Sequence, residues 1–331
     1  MLDQVQEPNA FIRKKTTLPN APLEPRNHFS KTPVIYDHLF FVNFNKAGHS
    51  ILGASAITDS FWEGTLLYFK DEDQLENFDY HGSYVYGTTS DGKFIDDKTI
   101  ALAEDSGHIN ILSIDEDATL RTTNYFWLCE RVPEIAVWEN SSRVLSCAGR
   151  TVYIYDANST NGKPIERYDS YHCDTVSSVD TLKDNTNVFL SGGRDRMACI
   201  WDMRNSVAAS LLYSNEFSAI NSVAWNQSDT NYIAVGTQAG DVYLLDKREP
   251  KDFVSVISCF PSPVNRLRFN TNSNLAICGD SKDVLVVNTQ SNNMNVIYKN
   301  EDHKGHVKGL SWNGDVLFSC GFERSLIKHV V

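Results

Sequence analysis

Three side chains in the middle of the chain invite a hydrolytic reading: His172, Ser191 and Asp195. A serine activated by a histidine, itself oriented by an aspartate, is the arrangement of acyl transfer. The local context argues against it, because no G-x-S-x-G elbow places a serine on a strand-to-helix turn. His303 and His306 form an H-x-x-H pair of metal-ligand type, but in a loop-like stretch with no obvious third ligand. No G-x-x-x-x-G-K-[ST] loop and no G-x-G-x-x-G turn is present to cradle phosphates. One acidic cluster comprises Asp71, Glu72, Asp73, Glu76 and Asp79; a second comprises Asp115, Glu116 and Asp117. Both lack the glycine spacing of a calcium loop. They read as solvated loops, or as an electrostatic surface for basic tails. Neither a metal nor a cofactor is expected, and the chain reads as a non-enzyme.

Whatever these residues do, strands must position them. The chain has 331 residues, 41% hydrophobic and 22% charged, which excludes a disordered chain or a coiled coil. Thirty basic against 42 acidic residues leave a net charge of −12, a poor match to direct nucleic-acid or anionic-membrane binding. Seven cysteines, odd in number and widely spaced without C-x-x-C, indicate neither a disulfide framework nor a zinc site. With no signal-like or membrane-spanning apolar run, the expected location is the cytosol, the nucleus or both.

Seven short apolar runs read as strands: GTLLYFK, HINILSI, TVYIYDA, ACIWDM, DVYLLDK, DVLVVNT and SLIKHVV. With Asp202 of the Trp201-Asp202 pair as ruler, equivalent positions are Lys70, Ser113, Asp156, Asp202, Asp246, Asn288 and Val330. The intervals are 43, 43, 46, 44, 42 and 42 residues. A propeller blade of four strands of WD-repeat type has a period of about 40–45. A second phase agrees: INSVAWN, VNRLRFN and VKGLSWN repeat one pattern and mark the inner strands, with those of blades 2 and 3 the least regular. The expected fold is therefore all-β, a seven-bladed WD-repeat β-propeller over residues 29–331. The sequence ends on the third strand of blade 7, so an N-terminal strand should close the ring, and SKTPVIY (30–36) is the candidate. Residues 1–28, rich in Pro and Asn, read as an extended arm. In this frame His172, Ser191, Asp195 and Trp201 match the structural hydrogen-bond network of WD repeats rather than a catalytic triad.

Blade 1 departs from the others. From Asn45 to Lys70 there are 25 residues, against 20, 18 and 17 over the same interval in blades 5, 6 and 7. The excess falls in ITDSFWEG (57–64), where other blades have small polar turns. The predicted tip carries Phe61 and Trp62, with Asp59 and Glu63 beside them. An aromatic pair with no core to fill suggests an anchor for a protein partner, since tryptophan dominates interface hot spots.

The stretch LGASAITDSFWEGTLLYFKD (52–71) resembles the first blade of the methylosome WD-repeat subunits, the Valois-like family. LPNAP (18–22) and SLIKHVV (325–331) resemble that family's two ends. The resemblance implies a non-catalytic adaptor that binds the N-terminal barrel of the type II, symmetric-dimethylating protein arginine methyltransferase. It implies a hetero-octamer with four copies of each subunit, and help in engaging Arg/Gly-rich Sm-protein and histone tails. The family's pocket-inserting tryptophan falls on Trp62. A competing expectation is a substrate receptor of a cullin-type ubiquitin ligase, from Trp201-Asp202-Met203-Arg204 and the partial echo Asp246-Lys247-Arg248.

Overall fold

The structure is a computed structural model that describes residues 33–57, 62–205, 209–250, 252–290 and 293–331, together with the backbone of a short strand at Phe11–Ile12. Among the described residues the strands form seven four-stranded antiparallel sheets. Each is a blade whose strands follow one another in sequence, except in blade 7. The inner strands are His38–Phe44, Thr89–Phe94, Ile135–Val137, Val176–Leu182, Ile220–Trp225, Val264–Phe269 and Val307–Asn313. The seven runs read as strands from the sequence are the third strands of successive blades, ending at Phe69, Ile114, Asp156, Asp202, Asp246, Asn288 and Val330.

Hydrophobic cores lie between neighbouring blades. Leu39, Leu52 and Leu67 of blade 1 share one cluster with Phe318, Cys320 and Leu326 of blade 7, so the first and last blades are packed together. Both faces of a blade are covered in this way, and the strands accordingly read as continuous Val/Ile/Leu runs. The buried cysteines behave as small apolar residues, and burial pushes the Cys278 thiol up to about 12.

Two expectations need correction. The strand that completes blade 7 is Phe11–Ile12, paired with Ile327 and Leu326. It lies in the segment expected to be an arm, and SKTPVIY does not supply it. Its described part, 33–36, is not a strand. Pro33 has no N–H for a ladder. Instead the Pro33 carbonyl accepts a bond from the Tyr80 hydroxyl at 2.8 Å, and the Val34 carbonyl accepts one from Thr65 Oγ1 at 3.0 Å. The segment thus lies against blade 1. The second correction is the cluster after Lys70, expected to be a loop, which contains a helix, Glu72–Asn77. Asp71 caps it, accepting the Gln74 N–H at 2.9 Å, while the Gln74 side chain accepts the Lys70 N–H at 2.9 Å. That reciprocal pattern is a capping box shifted by one residue. Lys328 pairs with Glu72 and, at 3.1 Å, with Glu76.

Candidate functional site

The extra residues of blade 1 lengthen strands. Ser50–Ile57 and Trp62–Phe69 pair through eight residue pairs, from Ser50 with Phe69 to Ile57 with Trp62. The same ladder has five pairs in blade 4, ending at Gly192 with Ala198. Inner-strand pairing aligns Gly53 with Gly192, so blade 1 continues four pairs further. At about 3.3 Å per residue this carries the last pair, Ile57 with Trp62, roughly 13 Å beyond the level at which the blade 4 ladder stops.

The last pair is apolar and uncovered. Trp62 is 56% exposed and Ile57 is 37% exposed. Trp62 therefore does not fold back into the propeller surface. Phe61 and Asp59 lie outside the described residues. Glu63, paired with Ala56 next to the end of the overhang, is half-buried and accepts the Tyr36 hydroxyl at 2.7 Å. Gly64 sits against the connection to blade 2. A Cβ there would approach the Gly87 carbonyl oxygen to 2.6 Å and the Val85 side chain to 2.7 Å. The overhang is thus held by close packing at Gly64 and by a side-chain hydrogen bond at Glu63, with Trp62 exposed beyond them.

Sequence reasoning missed other exposed aromatics at the same end of the ring. Tyr86, in the connection after blade 1, is 91% exposed. Tyr125 and Trp127 are about 60% exposed on the outer strand of blade 2, Leu120–Trp127, with Phe126 buried between them. Trp127 pairs with His108, at the start of that blade's third strand. The signal in the sequence is the period of two in Tyr125-Phe126-Trp127 on an outer strand.

His172, Ser191, Asp195 and Trp201 form one chain of bonds. His172 Nδ1 lies 2.7 Å from Asp195 Oδ2 and Nε2 lies 2.7 Å from Ser191 Oγ. Trp201 Nε1 donates to the same Oγ at 2.7 Å. Asp195 also accepts the backbone N–H groups of Cys173 and Met197. Burial pushes the Asp195 carboxyl up, but His172 and the two backbone N–H donors together outweigh it and hold it below the ordinary range. The serine hydroxyl is buried and engaged by two ring nitrogens, so it is no exposed nucleophile.

Blade 7 contains a second such network, invisible to a search for the same residue types. His303 contacts Ser319 Oγ at 2.7 Å and Glu323 Oε1 at 3.0 Å. His329 Nε2 contacts the same Oγ at 2.7 Å. Glu323 takes the place of Asp195 and His329 that of Trp201, at the same offsets of four and ten residues from the serine. His306 lies apart from this network, 3.5 Å from Asp280. The H-x-x-H pair therefore does not converge, and no metal-binding group of three ligands occurs among the described residues.

Arg204 and Arg248 are each forked onto an aspartate two residues earlier. Arg204 donates to Asp202 at 2.9 and 2.7 Å, and Arg248 Nε donates to Asp246 Oδ1 at 2.9 Å. These pairs close the turn after the third strand, a local role that repeats in two blades.

The ring is also fixed across its axis. Glu134, leading into blade 3, is buried and pairs with Arg266 and, at 2.8 Å, with Arg268, both from blade 6. It accepts Ser178 Oγ of blade 4 at 2.5 Å. Arg266 lies 3.7 Å from Asp91 of blade 2, and Asp91 pairs with Lys93 at 3.0 Å. Burial pushes the Glu134 carboxyl up, but the two guanidinium groups outweigh it and hold it below the ordinary range.

Comparison with known proteins agrees with this architecture. A chain in the crystal structure of the mitotic checkpoint complex superposes with a TM-score of 0.73 at 15% identity, covering 100% of this chain and 98% of the other. That likeness shows the fold alone. Methylosome protein WDR77 of Xenopus laevis is 22% identical over 280 residues, 82% of each chain. Protein valois of Drosophila melanogaster is 24% identical over 211 residues, 60% of this chain and 57% of that protein. The family model described as nucleolar protein 10-like, N-terminal domain, matches residues 98–316 and names no catalytic activity. The chain thus belongs to the β-propeller family of the nucleolar protein 10-like N-terminal domain, and over most of its length it resembles the methylosome WD-repeat subunits.

Proposed function

We propose that this protein is a non-catalytic adaptor that docks a protein arginine methyltransferase through the blade 1 hairpin. The observation that carries the reading is Trp62, more than half exposed at the end of an eight-pair ladder that overhangs the ring. A protruding indole on a stiff ladder loses little freedom on binding, and it can fill a pocket on a partner. The likeness to a methylosome protein supplies the partner's class. In this reading Trp62 enters a pocket on the N-terminal barrel of a type II enzyme. Asp59 and Glu63 tune orientation, Phe61 adds apolar contact, and the assembly is a hetero-octamer with four copies of each subunit. The adaptor helps present Arg/Gly-rich or histone tails, in the cytoplasm and nucleus. The ligase reading is weaker, because Arg204 and Arg248 already have local partners.

Co-purification tests the reading. Wild-type protein should retain the methyltransferase, and Trp62→Ala should lose most of it while keeping its circular dichroism spectrum and melting temperature. Undiminished recovery with Trp62→Ala rejects the anchor role.

A further inference from the structure

The end of the propeller that carries the Trp62 hairpin also opens a central cavity of about 650 Å³. Its wall arises from an irregularity repeated around the ring. In six blades the inner strand skips one residue in its pairing, near its start. The skipped residues are Phe40, Ser90, Ser177, Asn221, Asn265 and Lys308, and all six line the cavity. A bulge bends the strand and re-aims the extra side chain, and bulges are frequent beside functional sites.

The charge of this cavity runs against that of the molecule. In a chain of net charge −12, Arg131, Arg194, Arg266 and Lys308 line it, against one lining carboxylate, Glu130. Arg266 is engaged by Glu134 and Asp91, and Lys308 by Asp280. Arg131 and Arg194 are exposed and have no ion-pair partner among the described residues. Ser90 is 5% exposed, and its buried hydroxyl has no hydrogen-bond partner among the described residues. Phe40 and Phe322 make an edge contact at 5.2 Å on one side of the cavity.

We infer that this cavity binds an extended peptide carrying a phosphoserine or phosphothreonine. Guanidinium forks match phosphate oxygens in geometry and charge, which assigns the phosphate to Arg131 and Arg194. The Asn221 carboxamide serves the peptide's own polar groups, and Phe40 with Phe322 flank an apolar neighbour. The volume suits a few residues of peptide. This site is independent of Trp62.

The test is fluorescence polarisation of the full chain with a labelled nonapeptide pool, degenerate except for a fixed central phosphoserine. Matched pools carry serine or glutamate at that position. The phosphoserine pool should bind saturably below about 1 mM. It should bind at least about tenfold more tightly than the serine pool. Arg131→Gln and Arg194→Gln should each weaken it at least about fivefold, with unchanged melting temperature. Trp62→Ala should bind it as wild type does. Absence of saturable binding, equal binding of the serine or glutamate pool, or indifference to both arginine substitutions overturns the assignment.

Discussion

Replacing Glu134 by Gln tests how the ring is held across its axis. The substitution keeps the volume and removes only the charge. Glu134 is 2% exposed and is the shared partner of Arg266 and Arg268. Without it, Arg266, Arg268 and Lys93 face the carboxylate of Asp91 and that of Asp180, a more distant group. Asp180 is itself hard to ionise, since burial pushes it up to about 6. Breaking one partner out of a buried pair costs about 3–5 kcal/mol, because the remaining charge stays desolvated. That is a large part of the roughly 5–15 kcal/mol that holds a typical fold together. Urea unfolding followed by tryptophan fluorescence can measure it, since Trp138, Trp201 and Trp225 are all buried. The midpoint should fall steeply for Glu134→Gln and stay close to wild type for Asp202→Asn, whose Arg204 partner is solvent-exposed. Adding Arg268→Met should recover part of the loss, because it removes a cation left unpaired. A cost below about 1 kcal/mol for Glu134→Gln, or no recovery in the double variant, would refute the axial lock.

Two further outcomes follow from the same geometry. Burial, and then the nearby His303, push His329 down to about 3. The unfolded chain therefore takes up a proton below about 6.5 that the fold refuses. This contribution is complete above about 6.5 and is lost as pH falls toward the folded value, by up to about 1.4 kcal/mol per pH unit. His329→Gln should flatten the acid side of the stability-versus-pH curve, measured by urea titration, and parallel curves would reject the role of His329. Gly64→Ala should displace the base of the blade 1 hairpin and weaken partner binding while leaving the ring folded, because a Cβ there meets the Gly87 carbonyl at 2.6 Å. Unchanged affinity would mean that the overhang is not fixed from its base.

What the sequence made legible is what repeats locally. The third strands stand out because apolar residues end at a polar turn every 42 to 46 residues, and those strands lie where the spacing placed them. The long blade 1 hairpin was visible as surplus length, and Trp62 as an aromatic without a core. The network of blade 7 stayed hidden because Glu323 and His329 satisfy the same hydrogen bonds as Asp195 and Trp201 with other residue types. The Glu72–Asn77 helix depends on a single capping box, too short for periodicity to show. The closing strand has only two residues, and its partner is more than 300 positions away. The axial ion network joins Glu134 to Arg266 and Arg268 across the ring, contacts that only closure creates. The bulges keep the apolar pattern of the inner strands, so nothing in the pattern reveals that Ser90 or Asn221 turns toward the axis.

In the proposed function Trp62 anchors the methyltransferase. The direct measurement of that anchoring is the dissociation constant of the purified N-terminal barrel of that enzyme for wild-type and Trp62→Ala protein, each confirmed folded. A hot-spot tryptophan costs about 2 kcal/mol or more when truncated, so the account predicts at least about thirtyfold weaker binding. Affinities agreeing within a factor of about two, or a wild-type protein that does not bind the barrel, would contradict it.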